Sequence, residues 1–218
     1  MTQKDLELLL EEGEGFQLEF KRKVSSAEKI ARAMIGFANT RGGTILFGID
    51  DDKRVVGVES EKSELELITV AGTYHIEPPI EPFVEIIPYK GKDVIAVTIE
   101  ESKDKPHSLI VDEEDHYDSS SRVFIRVHDK TMAASREVEK ILRSEQPDAP
   151  PLRIEIGAEE RRLFDYLEQN ERVTVKEFAK LVNVSQRRAS RMLIKLVRAG
   201  VLRIHTHDKE DYFTVTFE

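Results

Sequence analysis

The chain has 218 residues, 39% of them hydrophobic and 34% charged, with a formal net charge of −9 and no cysteine. That composition excludes disulfides, cysteine nucleophiles, thiolate zinc sites and iron–sulfur clusters, and no 18-residue apolar run offers a membrane span. It also argues against a protein that coats nucleic acid indiscriminately, because phosphate binding rests on Lys and Arg.

In chain order, Lys4 to Glu12 predicts a short helix ended by Gly13, and Phe16 to Lys23 alternates apolar and polar as a half-buried strand does. Ser25 or Ser26 caps a helix in which Ile30, Ala33, Met34, Phe37 and Ala38 recur at helical spacing until Asn39 and Gly42-Gly43 stop it. Thr44 to Asp50 predicts a strand buried on both faces, turned back by Asp51-Asp52-Lys53 into Arg54 to Val58. Ser60 to Ile76 is a second long helix closed by Pro78-Pro79. A hairpin of Val84 to Pro88 and Val94 to Glu100 follows, joined by Lys90-Gly91-Lys92. The acidic run Asp112 to Asp118 with Ser119 to Ser121 predicts a solvated loop, Val123 to Val127 a strand, and Ser135 to Arg143 a helix closing the core. The expected class is α+β with a mixed sheet.

Three prolines in Gln146-Pro147-Asp148-Ala149-Pro150-Pro151 deny backbone donors and bias their predecessors away from helix. They mark a linker at 147–157 between a domain at 1–146 and another at 158–218. Charge divides similarly: residues 1–150 carry 20 Lys+Arg against 31 Asp+Glu, residues 151–218 carry 13 against 11. In the second domain Glu159 to Asn170 predicts an amphipathic helix, Thr174 to Leu181 a short one opened by a capping box, and Ser185 to Ala199 a third. Two strands, Val201 to His205 and Tyr212 to Thr216, flank the polar turn His207 to Asp211. This order of elements predicts a winged helix-turn-helix.

The third helix of that domain carries Gln186, Arg187, Arg188, Ser190, Arg191, Lys195 and Arg198, and no acid occurs between Asn183 and His207. Such a helix can place its first residues at base edges in the major groove, where Arg pairs with guanine and Gln with adenine. Lys195, Arg198 and Arg203 are assigned toward phosphates. Ala189, Met192, Leu193, Leu196 and Val197 form the opposite, core-facing stripe. The plainer reading is a solvated basic face used only for protein contacts. In the first domain Glu14 and Glu19 lie five residues apart, next to Lys21, Arg22 and Lys23. Converging carboxylates can hold a divalent cation that activates water, although by spacing alone the two acids read as surface residues. The glycine pair reads as a turn, because no G-x-x-x-x-G-K-S/T motif is present to cradle a phosphate. His205 and His207 alternate on a strand end and read as solvent-facing.

Together, Glu14-x4-Glu19-Phe20-Lys21, the run Ala38-Asn39-Thr40-Arg41-Gly42-Gly43-Thr44-Ile45-Leu46-Phe47-Gly48-Ile49-Asp50-Asp51, and Arg126-x4-Thr131 resemble the Schlafen-type AlbA-like domain over about residues 7 to 143. The resemblance implies nucleic-acid binding and, with the C-terminal winged helix joined to the same domain in many prokaryotic members, a transcriptional regulator. The family's animal ribonucleases use two glutamates of this motif and an aspartate after the glycine-containing strand. Those roles fall here on Glu14, Glu19 and Asp50 as ligands of Mg²⁺ or Mn²⁺, with Lys21 orienting phosphate. Those nucleases clamp RNA between two such lobes, so a single lobe would need a homodimer.

The resulting expectation is a cytoplasmic, homodimeric DNA-binding regulator that requires no cofactor and has no membrane partner. Its first domain would supply dimerisation, nucleic-acid contact or an effector response. The alternatives are a metal-dependent endoribonuclease acting on RNA, and a protein-interaction module.

Overall fold

The computed structural model describes residues 1–110, 122–146, 149, 151–207 and 210–216. The acidic run with its three serines lies outside the described residues, as do Pro147, Asp148 and Pro150 of the linker and two residues of the His207–Asp211 turn. The chain divides into two units, Met1–Ala133 and Ala134–Glu218.

The first unit is organised on a four-stranded mixed sheet. Its strands are β1 (Leu18–Lys21), β2 (Gly43–Phe47), β4 (Phe83–Tyr89) and β5 (Lys92–Ile99), in the order β1-β2-β5-β4. Only β1 and β2 run parallel, since the helix α2 (Ala27–Ala38) crosses between them. The β4–β5 hairpin closes on Lys90 and Gly91, both with positive φ (50° and 79°), the backbone a two-residue primed turn needs. Ser26 caps α2 by accepting from the Lys29 amide, and Ile30, Met34, Ile35 and Phe37 are buried against Ile45, Phe47, Ile95 and Val97. The helix α3 (Glu61–Tyr74) packs on α2 and adds Ile68 and Ala71 to that core. On the opposite sheet face Leu6 of α1 (Gln3–Glu12) is buried with Leu18, Phe20, Leu46 and Ala96.

Three short elements escape the sequence reading: β3 (Ile76–Glu77) paired with β6 (Ser108–Leu109), and β8 (Lys130–Ala133) paired with β7 (Phe124–Val127). A two-residue ladder carries no periodicity, and β8 has two exposed and two half-buried residues with no alternation. Arg54 to Val58, expected as a strand, contributes one bridge, Val55 to Ile49.

The second unit contains α5 (Ala158–Gln169), α6 (Val175–Leu181), α7 (Gln186–Arg198) and the antiparallel pair β9 (Leu202–His205) and β10 (Tyr212–Val215). The Thr174 capping box opens α6 as expected. Leu163, Phe178, Leu193, Leu196 and Phe213 share one core. The helix α4 (Arg136–Ser144) belongs to this unit: it packs along α7 with Val138 and Leu142 buried, and does not close the first core as the sequence led us to expect. Its apolar spacing shows that it buries a stripe, but not against which core.

Candidate nucleic-acid interface

Ser185 caps α7 by accepting from the Arg188 amide at 3.3 Å, and the helix then buries Ala189, Leu193 and Leu196. Gln186, Arg187, Arg188, Arg191 and Lys195 are exposed. Spacings of three and four residues put Arg187 beside Arg191 and Arg188 in line with Arg191 and Lys195, giving one cationic face. A groove of 710 Å³ beside it is lined by Arg188, Arg191 and Lys195 together with Arg153 and the acids Glu155, Glu159 and Glu160. One contact crosses it directly, Arg188 Nη2 to Glu159 Oε2 at 2.8 Å. Arg198 is half-buried at the end of the helix.

Two expected nucleic-acid contacts are placed elsewhere. Ser190 is 3% exposed. Its hydroxyl donates to Glu137 Oε1 at 2.8 Å and accepts from Lys140 Nζ at 3.3 Å, so it faces α4 rather than solvent. The sign of this second partner was Ile194, one turn further along α7 and also buried, an apolar residue outside the main core stripe. Arg203 lies on β9 and lines a different cleft from the α7 cations.

The N-cap of α4, Ser135, donates its hydroxyl to Asp211, which also accepts from the His207 amide at 3.4 Å. Burial, the largest influence, pushes the Asp211 carboxyl up, aided by the negative charge of Glu137 and Glu210 and opposed by those two hydrogen bonds. A carboxyl raised on folding stabilises the fold below its unfolded value, about 3.9 for Asp, and loses that contribution as pH rises through its folded value. Asp211→Asn is therefore expected to raise the melting temperature of the second unit at neutral pH. The gain should vanish below about pH 4; melting curves at pH 3.5 and 7 check it, and an equal effect at both refutes it.

In the first unit the three candidate ligands are engaged separately. Glu14 Oε1 accepts from the Phe20 amide at 2.8 Å. Glu19 is ion-paired with Arg126 and with Lys21, so Lys21 is held by a carboxylate. Asp50, beyond the end of β2, meets Arg22 at 3.0 Å and Arg54 at 3.4 Å. A hard divalent ion takes several oxygens at about 2.0–2.6 Å. Among the described residues no group of three His, Cys, Asp or Glu side chains is arranged to hold one. Glu14, Glu19 and Asp50 do not fit Mg²⁺ or Mn²⁺ as they stand.

Glu19 instead belongs to a fastening around Arg126, whose side chain is 1% exposed. Its guanidinium donates to Glu19, to the carbonyls of Gly15 (3.0 Å) and Leu18 (3.2 Å) and to Thr131 Oγ1 (3.3 Å), and lies 4.7 Å from the Phe37 ring centroid. Asn39, 2% exposed, makes a second tie: its amide donates to the carbonyls of His107 and Phe124, both at 2.9 Å, and accepts from the His107 amide at 2.8 Å. Of the glycine pair, Gly42 leads into β2 and Gly43 is its first residue. Gly42, with φ +66°, donates to the Phe37 carbonyl, and a Cβ on Gly43 would come within 2.5 Å of the Phe37 ring.

Among the described residues no helix is long and apolar enough to cross a membrane. No curated protein matches the chain. Two solved structures are similar to the chain: the DIP2311 protein of Corynebacterium diphtheriae, at 21% identity and a TM-score of 0.44, and the N-terminal domain of a RecG-related protein of Nitrosomonas europaea, at 20% identity and 0.43. The matches cover 63% and 62% of this chain, 25% of the first protein and 96% of the second. The sequence profile of the family described as Schlafen, AlbA_2 matches residues 14–135, more than half the chain, and the protein belongs to that family.

Proposed function

We propose that the protein is a DNA-binding regulator in which α5, α6, α7 and the β9–β10 hairpin act as a winged helix-turn-helix, with the cationic face of α7 entering the major groove. The single observation that carries this reading is the exposed row of Gln186, Arg187, Arg188, Arg191 and Lys195 opposite a well-packed core face, in a chain of net charge −9. Membership of the Schlafen, AlbA_2 family fits a nucleic-acid-related role. In this reading the first unit supplies dimerisation, further nucleic-acid contact to DNA or RNA, or an effector response. A homodimer would present two reading helices to half-sites about 34–36 Å apart.

The test is selection of bound duplexes from a random pool, followed by titration at several salt concentrations. Affinity that falls linearly in log–log form with salt supports the proposal. Failure to retain any duplex at low salt ends it. Glu159 competes with phosphate for Arg188. Glu159→Gln is therefore expected to raise duplex affinity by up to about fivefold, the worth of an exposed ion pair, and lower affinity in that variant would contradict the competition.

A further inference from the structure

The outer face of the β9–β10 hairpin carries chemistry that the α7 reading does not use. Register pairs Tyr212 with His205 and Thr214 with Arg203, so strand alternation turns these four side chains to one side while Leu202, Ile204, Phe213 and Val215 turn to the core. The Tyr212 and His205 rings stack 4.8 Å apart, 6° from parallel, and the Arg172 guanidinium lies 5.1 Å from the Tyr212 centroid. His205 Nε2 is 2.9 Å from Thr214 Oγ1. Burial and the nearby Arg203 charge hold its imidazole below the usual range, which keeps the ring neutral near pH 7. Arg172, Arg203, His205, Tyr212 and Thr214 line one open cleft of 1030 Å³.

Arg172 and Arg203 are exposed and form no ion pair among the described residues. Two unpaired guanidiniums beside a stacked aromatic pair offer a fork for phosphate and a platform for a planar ring. The same cleft is lined by Glu168 and Glu171. Carboxylates oppose a bare anion but accept hydrogen bonds from N–H groups. A ligand that satisfies all three features has a phosphate, a flat ring and N–H donors on the ring edge.

We propose that this cleft is a second binding site, for a nucleotide unit, with phosphate on Arg172 and Arg203 and the base added to the Tyr212–His205 stack. The unit can come from a free nucleotide or from an unpaired base in a strand. None of the α7 cations lines the cleft, so the site goes beyond the duplex reading and stands or falls separately.

The experiment uses the full chain with three probes, GMP, a fluorescein-labelled single-stranded 12-mer and inorganic phosphate. The variants are the double substitution Arg172→Ala with Arg203→Ala, His205→Ala, and as a control Arg187→Ala with Arg191→Ala. GMP, the 12-mer or both should bind the parent protein. Affinity should fall at least tenfold in the Arg172/Arg203 variant and severalfold in His205→Ala, and stay within twofold in the control. Binding of GMP alone assigns a free nucleotide; binding of the 12-mer alone assigns a strand. Absence of binding to both, equal binding in the Arg172/Arg203 variant, or inorganic phosphate competing as well as GMP overturns the proposal. Loss of duplex binding in the control, with GMP or 12-mer binding retained, separates this site from α7. The substituted arginines are exposed, and an unchanged melting temperature confirms that the variants are folded.

Discussion

Arg126→Met is expected to unfold the first unit at temperatures where the parent chain is intact, at a cost of about 3–5 kcal/mol. Arg126 is the most heavily bonded buried charge described. Its guanidinium joins β7 to the turn before β1, to β1 itself and to β8 through Gly15, Leu18, Glu19 and Thr131. Methionine fills much of the same volume but takes both guanidinium donors from the Gly15 carbonyl, leaves the Leu18 carbonyl with the Gly15 amide at 2.9 Å, and returns Glu19, 12% exposed, to Lys21 alone. Glu19→Gln should be milder, because the amide still offers Arg126 an oxygen. Urea unfolding of both variants distinguishes this from a metal-ligand role: a structural pair loses stability in metal-free buffer and is not rescued by added Mn²⁺. Parent-like stability for Arg126→Met would refute the fastening.

The second large effect is on nucleic acid. Arg187→Ala combined with Arg191→Ala is expected to lower duplex affinity by at least tenfold and to reduce the salt slope by about two, because each phosphate that a guanidinium no longer neutralises keeps its counterion. Both side chains are exposed, so the second unit should keep its stability to within about 0.5 kcal/mol. Ser190→Ala should act differently. Its hydroxyl bonds Glu137 and Lys140 of α4, so the expected change is loosening of α4, with base preference intact. A duplex affinity and salt slope unchanged in the double variant would remove α7 from the interface.

Much of this was legible locally. The cap at Ser26, the alternation that makes β1, the capping box at Thr174 and the core stripe of α7 each depend on residues within a turn or a strand of one another. Their hydrogen bonds and burial periodicity are written in neighbouring positions. The motif residues Glu19, Asn39, Arg126 and Thr131 were also conspicuous, but their use was not. An Arg in a short strand looks the same in sequence whether it reaches solvent, phosphate or a carboxylate.

Partner choice across the chain was decided by packing. Glu19 and Arg126 are 107 residues apart, and Ser190 and Glu137 are 53 apart. Only the folded backbone brings their atoms within bonding distance, and burial then determines which polar groups must be satisfied from within. From the sequence alone came the two-part plan, the mixed sheet and the cationic helix. The tertiary structure decided that α4 covers one flank of that helix, that Arg203 on β9 lines the same cleft as Arg172 from the segment before α6, and that Glu14, Glu19 and Asp50 are tied to arginines, lysine and a backbone amide. The physical reason is the same in each case: charge and periodicity are properties of a segment, whereas desolvation and pairing are properties of the surface it meets.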